Sequence, residues 1–441
     1  MASVNRKASV SANEDRELSP FEQLERTVNS CLLWEDNFYE DGISVSDRIT
    51  GLMDKVTKDE AEKLVRQSKF DNKLRHTPLL LLCCMAKNKQ LTKELVSDVI
   101  TRVDDMAELL SLYWKDGKKP LPKQMVKGMQ IAFSKFDEYQ FGKYKGNSKE
   151  LKLRDVIRIV RPKPQNDEQS SLWKKIVSNT LAIPDTWEVE LSKSTDKKSS
   201  WERLLKEKRL GALAMLRNVR NMDNAGVMHS DILEGLKDTN MSKVLPFQIM
   251  ASARMNPFAE EVLDGKLLES TSCMQKLEGH TLVMVDVSYS MSGRLSSKSD
   301  MVRLDAAKTM AIILREICES CSIFKFNKVS TEVPARRSFA LADAIGCTDG
   351  GTNIYSSTKT AFEKVSRNTI VDRVVIITDE QDNYGHDYEN AHTLANRGYI
   401  INIAPYQNGV MYQKNSRWVH VNGFSENVVR FISVLEDEKG M

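Results

Sequence analysis

Residues 281–290 of this chain read TLVMVDVSYS, and this stretch decides the fold of the C-terminal third. Its first five residues are mostly apolar, which is typical of a strand buried on both faces. Polar side chains then occupy every second position from Asp286 onward. A buried strand that ends in closely spaced oxygen donors predicts a ligand site at the carboxyl edge of a parallel sheet.

Helical and strand-like segments alternate after this stretch. We expect helices at Leu304–Cys318, Ser356–Val365, Glu389–Asn396 and Glu426–Leu435, and strands at Ser322–Phe326, Arg373–Ile377 and Ile400–Ile403. Such alternation predicts crossover connections and a doubly wound, Rossmann-like parallel sheet.

Three polar clusters are expected at the carboxyl edge of that sheet. Asp286, Ser288 and Ser290 follow the first strand, Asp379 follows a later one, and Thr352 lies in a Gly-rich loop before a helix. Hard oxygen donors with few charges suit Mg²⁺, Mn²⁺ or Ca²⁺. Alternatively, the serines cap a helix and Asp379 is a turn residue. The presence of all three clusters, in this order, favours the metal site.

This pattern resembles the metal-ion-dependent adhesion site of von Willebrand A domains, DxSxS…T…D. The resemblance covers residues 278–438. It implies direct ligation of one divalent cation by Ser288, Ser290 and Thr352, with Asp286 and Asp379 close by and often acting through water. Mg²⁺ is the first choice, with Mn²⁺ or Ca²⁺ as alternatives.

The N-terminal part, from about Pro20 to Lys266, has apolar residues at helical spacing and little strand-like alternation. One buried helix face is predicted from Leu95, Val99, Val103, Met106, Leu110 and Tyr113, and a second from Leu213, Leu216, Val219 and Met222. Many short amphipathic helices predict an α-helical repeat architecture of the HEAT type.

Positive charge is concentrated within this helical part. The chain has a net charge of +3, but residues 115–165 contain 14 basic and 5 acidic residues. Residues 276–441 contain 19 basic and 20 acidic residues, so the excess lies in the helical part. Such a concentration favours an anionic partner such as RNA. The alternative is a solvated helix face with aromatic residues in the core.

Several helical stretches resemble the TROVE module. They are KGM at 127–129, FGKYK at 141–145, LRDVIR at 153–158, RPKP at 161–164, GALAMLRN at 211–218 and LPF at 245–247. A TROVE module joined to an A domain is the architecture of Ro60-like (Ro autoantigen, Rsr) RNA-binding proteins. The predicted domains are a flexible tail at 1–19, a TROVE domain at 20–270 and an A domain at 278–438.

The resemblance implies a helical ring closed by the A domain, without catalytic activity. It implies that misfolded noncoding RNA binds through single-stranded 3′ ends in the ring, and Y-like RNA on the outer basic surface. The expected RNA-binding residues are Lys127, Lys135, Tyr139, Lys143, Lys145, Arg154, Arg158, Arg161 and Lys163. Tyr139, Phe141 and Tyr144 are candidates to stack on bases. Arg161 stands where animal members typically have His, so contacts there differ in detail.

Further expectations concern partners and location. The resemblance implies a monomer with a protein partner such as an exoribonuclease. The polar first twenty residues predict no secretory signal, and no apolar run is long enough for a membrane span. We therefore expect a cytoplasmic protein. The CxxC of Cys318 and Cys321 is interpreted as two ordinary thiols, with a zinc or redox role as the alternative.

Two other functions compete with RNA binding. The first is a protein-interaction module whose A domain binds a partner carboxylate through the metal, with the helical half as scaffold. The second is a metal-dependent phosphoryl-transfer enzyme or nuclease that uses Asp286, Asp379 and Glu380. The sequence contains no GxxxxGK[ST] loop and no HExxH.

Overall fold

A computed structural model describes most of the chain. The described residues are 19–30, 42–72, 74–144, 151–242, 244–272, 274–295, 301–379, 394, 397–403, 418–422, 432 and 436. The chain divides into two compact units. The helical unit comprises Pro20–Val28 and Ile43–Ser194, and the sheet unit contains Thr195–Met441.

The first eleven helices belong to the segment that forms the helical unit. They are α1 Pro20–Ser30, α2 Gly42–Met53, α3 Lys58–Arg66, α4 Thr77–Lys87, α5 Lys93–Val99, α6 Val103–Tyr113, α7 Lys123–Phe133, α8 Glu138–Lys143, α9 Leu153–Val160, α10 Asp167–Ser178 and α11 Trp187–Lys193. A π-helical turn, Gln67–Asp71, continues α3. Between 20 and 194 the described residues contain no strand, as the apolar spacing predicts.

The sheet unit begins with five more helices, and three others flank its strands. The helices are α12 Lys197–Lys206, α13 Ala212–Asn224, α14 His229–Asp238, α15 Pro246–Met255, α16 Glu260–Thr271, α17 Arg303–Ile317, α18 Ser338–Ile345 and α19 Ile354–Ser366. The strands are β1 Leu277–Asp286, β2 Cys318–Phe326, β3 Ser330–Glu332, β4 Arg373–Thr378, β5 Arg397–Asn402 and β6 Trp418–Asn422. The predicted fold class, helices followed by an α/β domain, is confirmed.

The sheet has the strand order β3-β2-β1-β4-β5-β6. β1, β2, β4, β5 and β6 are parallel, and only the short edge strand β3 pairs antiparallel with β2. The doubly wound parallel sheet that the sequence predicts is confirmed for these five strands, and the sequence did not predict the antiparallel edge strand β3. Parallel pairing places the carboxyl ends of β1 and β4 side by side, where Val285 faces Ile377.

Two predicted helix faces need correction. Leu95 to Tyr113 do not form one helix, because α5 ends at Val99 and α6 begins at Val103. The Asp105 carboxylate accepts the backbone N–H groups of Thr101 and Arg102, both at 3.1 Å, and so starts a second helix. In α13, Leu213 is 38% exposed, so it does not share the buried face of Leu216 and its neighbours.

The strand and helix limits differ from the prediction by a few residues. β2 begins at Cys318, four residues before the predicted start, because α17 ends at Ile317. α18, β3 and β6 are not predicted from the sequence, because they are short or lack a clear apolar period. Of the predicted helix Glu389–Asn396 only Leu394 is among the described residues, and of Glu426–Leu435 only Ile432, which is helical.

The last two helices before the sheet, α15 and α16, pack against the helices α17 and α18 that flank it. Arg254 of α15 forms an ion pair with Asp305 of α17. The Asp264 carboxylate of α16 accepts the backbone N–H of Phe339 at 2.9 Å. α15 and α16 are thus fixed to the α/β domain by polar contacts at helix ends. In the described part of the chain, no helix is both long and apolar enough to cross a membrane.

Candidate functional site

The turn after β1 orients the first predicted metal ligands. Asp286 is fully buried at the end of the strand. Its Oδ1 accepts the backbone N–H of Ser288 at 2.8 Å, and its Oδ2 accepts the hydroxyl of Thr378 from β4 at 2.6 Å. Both carboxylate oxygens therefore have fixed directions.

Four of the five predicted metal-site residues are joined by short polar contacts. The hydroxyls of Ser288 and Ser290 lie 3.0 Å apart. The Ser290 hydroxyl donates to Asp379 Oδ1 at 3.1 Å. Asp379, like Asp286, is completely buried. The structure thus brings together side chains that are 89 residues apart in the sequence.

The fifth residue, Thr352, lies in a loop that is bonded to the same turn. The backbone N–H of Tyr289 donates to the Gly350 carbonyl at 3.0 Å. The backbone N–H of Asp349 donates to the Val287 carbonyl at 2.6 Å. Thr352 itself is buried. The loop therefore holds Thr352 beside the Asp286–Ser290 turn.

The two carboxylates of this site repel each other, and an arginine pairs with one of them. Burial, followed by the nearby charge of Asp379, raises the pKa of Asp286 to about 7. Arg303, the first residue of α17, places its Nη1 2.7 Å from Asp379 Oδ2. Arg303 is not among the residues predicted from the sequence. A lone arginine at the start of a helix gives no sign of a partner 76 residues away.

The donor atoms present fit a hard divalent cation. The five residues offer two carboxylates and three hydroxyls, with no imidazole or thiolate among them. Oxygen-only donor sets of this kind suit Mg²⁺ and Ca²⁺ rather than zinc. Consistent with only two carboxylates, no cluster of three or more His, Cys, Asp or Glu side chains at metal-binding range occurs among the described residues.

The second candidate site is a stripe of arginines on α9. Leu153, Val156, Ile157 and Val160 form the buried face of this helix. Arg154, Arg158 and Arg161 follow at positions i, i+4 and i+7, and all three are exposed. Arg154 and Arg158, four residues apart, share one face of α9, and Arg161 follows directly after the helix. We call Arg154, Arg158 and Arg161 the arginine stripe.

The end of α9 has an unusual backbone. Arg161 adopts a left-handed conformation, with φ +50° and ψ +57°, and its N–H donates to the Ile157 carbonyl. The Arg161 Nε donates to the Arg158 carbonyl at 3.3 Å. Gln130 of α7 donates to the Val160 carbonyl at 2.9 Å. This contact places α7, which carries the exposed Lys127, next to the end of the arginine stripe.

Aromatic and cationic side chains meet where α8 ends. Lys143 Nζ lies 5.8 Å from the ring centroid of Tyr139 and 5.4 Å from that of Tyr144. The guanidinium of Arg102 covers Tyr144 at 4.4 Å. Tyr139 is 46% exposed, so its ring is accessible. Arg102 was not among the predicted residues.

Other predicted RNA-binding residues have different environments. Phe141 is fully buried and packs on Phe133, so its candidacy as a stacking ring is wrong. Lys135 is exposed, but its Nζ donates to the Ser97 carbonyl at 2.7 Å. Lys163 is exposed just beyond α9, whereas Lys145 lies outside the described residues.

The CxxC pair lies in β2 and not in a loop. Cys318 is buried and Cys321 partly buried. Because strand residues three apart point to opposite faces, the two thiols do not converge. Burial raises the pKa of both thiols, to about 11 for Cys321. These features favour the interpretation as ordinary thiols over a zinc or redox site.

Known proteins resemble this chain in part of its sequence and in its fold. Residues 178–345 match the family model of the TROVE domain. The chain is also similar to the crystal structure of the RO (RSR) protein of Deinococcus radiodurans, with a TM-score of 0.64 and 15% identity. That match covers 93% of this chain and 98% of the other. No curated protein matches the sequence significantly.

The two matches confirm the predicted resemblance to Ro60-like TROVE proteins. The matched segment, 178–345, extends past α16 through β1 and β2 to the end of α18. The structural match, at its low identity, establishes a shared fold.

Proposed function

We propose that this chain, with its TROVE domain and Ro-type fold, is an RNA-binding protein that acts in the quality control of small or misfolded noncoding RNA. The observation that carries the proposal is the arginine stripe. Arg154 and Arg158 are about 6 Å apart along one face of α9, and Arg161 follows at the end of the helix. Guanidinium groups contact phosphates through paired hydrogen bonds, so a row of them suits an RNA backbone.

The aromatic residues near α8 supply a second kind of contact. Tyr139 presents an exposed ring with a Lys143 ammonium nearby. An aromatic face beside cations stacks unpaired bases without strong sequence preference. We therefore expect RNA with single-stranded regions to bind more tightly than a blunt duplex, as the resemblance to Ro60 proteins also implies for single-stranded 3′ ends. Y-like RNA on the same basic surface is part of this proposal.

A charge-matched pair of variants tests the proposal. Arg154→Gln/Arg158→Gln removes two exposed charges from the arginine stripe. Lys359→Gln/Arg367→Gln removes two exposed charges from the α19 region of the sheet unit. With a labelled hairpin RNA that has a single-stranded 3′ tail, the first variant should lose at least about tenfold in affinity, or 1.4 kcal/mol. Equal losses of affinity from both variants would show that only the net charge of the protein matters. That result would contradict RNA binding at the arginine stripe.

The metal site supports a second candidate function, namely recognition of a protein partner through the cation. We propose that Ser288, Ser290 and Thr352 hold one divalent ion, Mg²⁺ in the first place, with Asp286 and Asp379 beside it. Tyr289, between the two serines in sequence, is 64% exposed. An exposed aromatic ring beside an under-neutralised cation suits a carboxylate on an apolar partner surface.

These two functions separate in one binding experiment. A partner captured by the purified protein should remain bound after RNase treatment and be released by EDTA or by Asp286→Ala. A partner that is released by RNase but not by EDTA would instead be bound through RNA. That result would contradict partner binding through the cation. No catalytic role is proposed for either site.

A further inference from the structure

Arg303 has the most confined position of any cation described near the proposed metal site. Only 5% of its side chain is exposed. Its Nη1 donates to Asp379 Oδ2 at 2.7 Å and to the Ser290 carbonyl at 3.3 Å. Both acceptors belong to residues of the proposed metal site. The guanidinium therefore lies within the same small group of atoms that would surround a divalent ion.

The neighbouring backbone fixes this guanidinium in place. The Arg303 N–H donates to the Gly293 carbonyl at 2.8 Å. A Cβ at Gly293 would lie 3.2 Å from Arg303 Cζ and Nε, so the side chain passes closely over this glycine. An arginine side chain is positively charged in proteins. The site thus contains a permanent internal cation.

The charges of Asp379 and Arg303 are already matched without metal. One Asp379 oxygen accepts the Ser290 hydroxyl, and the other accepts the guanidinium. A divalent ion at the serine hydroxyls would lie close to that guanidinium and be repelled by it, because like charges a few ångströms apart in a buried site interact strongly. To use Asp379, the ion must displace the guanidinium or share the carboxylate with it.

We propose that Arg303 is an internal counter-ion that competes with the divalent cation for Asp379 and sets the site's metal affinity. The inference rests on the proposed metal site and adds a regulator to it. The protein should bind Mg²⁺ or Mn²⁺ weakly, and removal of the charge at position 303 should tighten binding. The ligand class is a hard divalent cation with oxygen coordination.

The test uses the full chain, with Mn²⁺ binding measured by the loss of its free electron paramagnetic resonance signal. Arg303→Gln should bind Mn²⁺ at least about tenfold more tightly than the unaltered protein. Arg303→Lys, which keeps the positive charge, should bind as weakly as the unaltered protein. If Arg303→Gln unfolds without metal, the cost of folding lowers its apparent Mn²⁺ affinity, so Arg303→Met, which removes the charge and keeps an unbranched side chain, replaces it in the comparison.

The outcomes distinguish this inference from the metal site itself. Equal Mn²⁺ affinity in the unaltered protein and in Arg303→Gln, abolished in both by Asp286→Ala, would overturn the counter-ion role and keep the site. Weaker binding in Arg303→Gln would also overturn it. If neither the unaltered protein nor any variant binds Mn²⁺, both the proposed metal site and the counter-ion role of Arg303 are contradicted.

Discussion

At the scale of single residues, Arg161 combines backbone strain with an exposed charge. Its φ of +50° is a conformation that residues with a Cβ rarely adopt, at a cost of about 1 kcal/mol relative to glycine. The strained residue is one of the three members of the arginine stripe. Lys89, Asn179 and Lys208 have the same left-handed backbone at other helix ends, so this conformation terminates the helix and the charge of Arg161 is the feature relevant to RNA.

Substitution at this position should separate stability from RNA affinity. Arg161→Gly should leave the melting temperature unchanged or raise it, because glycine accepts the left-handed conformation, while RNA affinity falls. Arg158→Gly, inside α9, should lower both, since glycine in a helix interior costs about 1 kcal/mol. Thermal unfolding and RNA titration of the two variants provide the comparison. A large loss of stability in Arg161→Gly would mean that the arginine side chain holds the helix end.

The cysteine pair gives a prediction with a defined pH dependence. The reactive species is the thiolate, and burial raises the pKa of Cys321 to about 11. Alkylation of Cys321 in the folded protein should therefore be slow near pH 8 and accelerate as the pH rises toward 11. Exposed Cys347 is the internal control and should react first, as followed by mass spectrometry of the peptides. Equal rates at pH 8 would contradict the buried environment.

The sequence predicted which residues meet at the candidate metal site better than it predicted how they interact. The spacing of Asp286, Ser288 and Ser290 identified the turn, since every second residue carries oxygen. Arg303 could not be predicted, because its role depends on Asp379, which meets it only in the folded sheet. Phe141 was placed among stacking rings because its neighbours are basic, although helix packing buries it.

At the scale of secondary-structure elements, the contact between α5 and α7 positions the helix that borders the arginine stripe. A Cβ at Gly128 would lie 2.5 Å from Val96 Cβ and 2.6 Å from the Lys93 carbonyl oxygen. The two helices therefore approach each other through a position where no side chain fits.

An alanine at this position should force the helices apart. Gly128→Ala should destabilise the protein by about 1–3 kcal/mol, the usual cost of overpacking a core. Gly51→Ala in α2 has no atom within 4 Å and should instead be neutral or stabilising. Urea unfolding of both variants measures the difference. Equal stability of the two variants would show that α5 and α7 adjust without cost.

The sequence predicted element type more reliably than element limits. Periodic apolar residues identified the helical character of α6 and α13, and runs of apolar residues identified the buried strands β1 and β4. The break between α5 and α6 was missed because the apolar period continues across it, and the carboxylate of Asp105 decides where α6 starts. The edge strand β3 has only three residues, too few to show a period.

At the scale of the whole molecule, a buried ion cluster joins Glu436 to the sheet. Arg373 is 1% exposed, and its Nε and Nη2 contact the two oxygens of Glu436 at 2.9 and 2.5 Å. Arg397 Nη1 and the Tyr399 hydroxyl also bond to Glu436, at 2.7 and 3.0 Å. One carboxylate thus serves three partners on β4 and β5.

Loss of this carboxylate should affect the sheet unit as a whole. Glu436→Ala leaves the Arg373 charge buried and should cost about 3–5 kcal/mol, the cost of breaking a buried pair. Lys364→Ala, which breaks an exposed pair with Glu332, is the control and should cost less than about 1 kcal/mol. Denaturant unfolding followed by circular dichroism measures both. A small effect from Glu436→Ala would mean that the C-terminal segment is dispensable for the sheet.

The central claim, RNA binding through the arginine stripe, is tested most directly by the salt dependence of RNA affinity. For single-stranded RNA, each neutralised phosphate contributes about −0.7 to the slope of log affinity against log salt. Arg154→Gln/Arg158→Gln should therefore flatten the slope by about 1.4 relative to the unaltered protein, with an RNA that carries a single-stranded 3′ tail. An unchanged slope, or an affinity that ignores both salt and tail, would contradict the account.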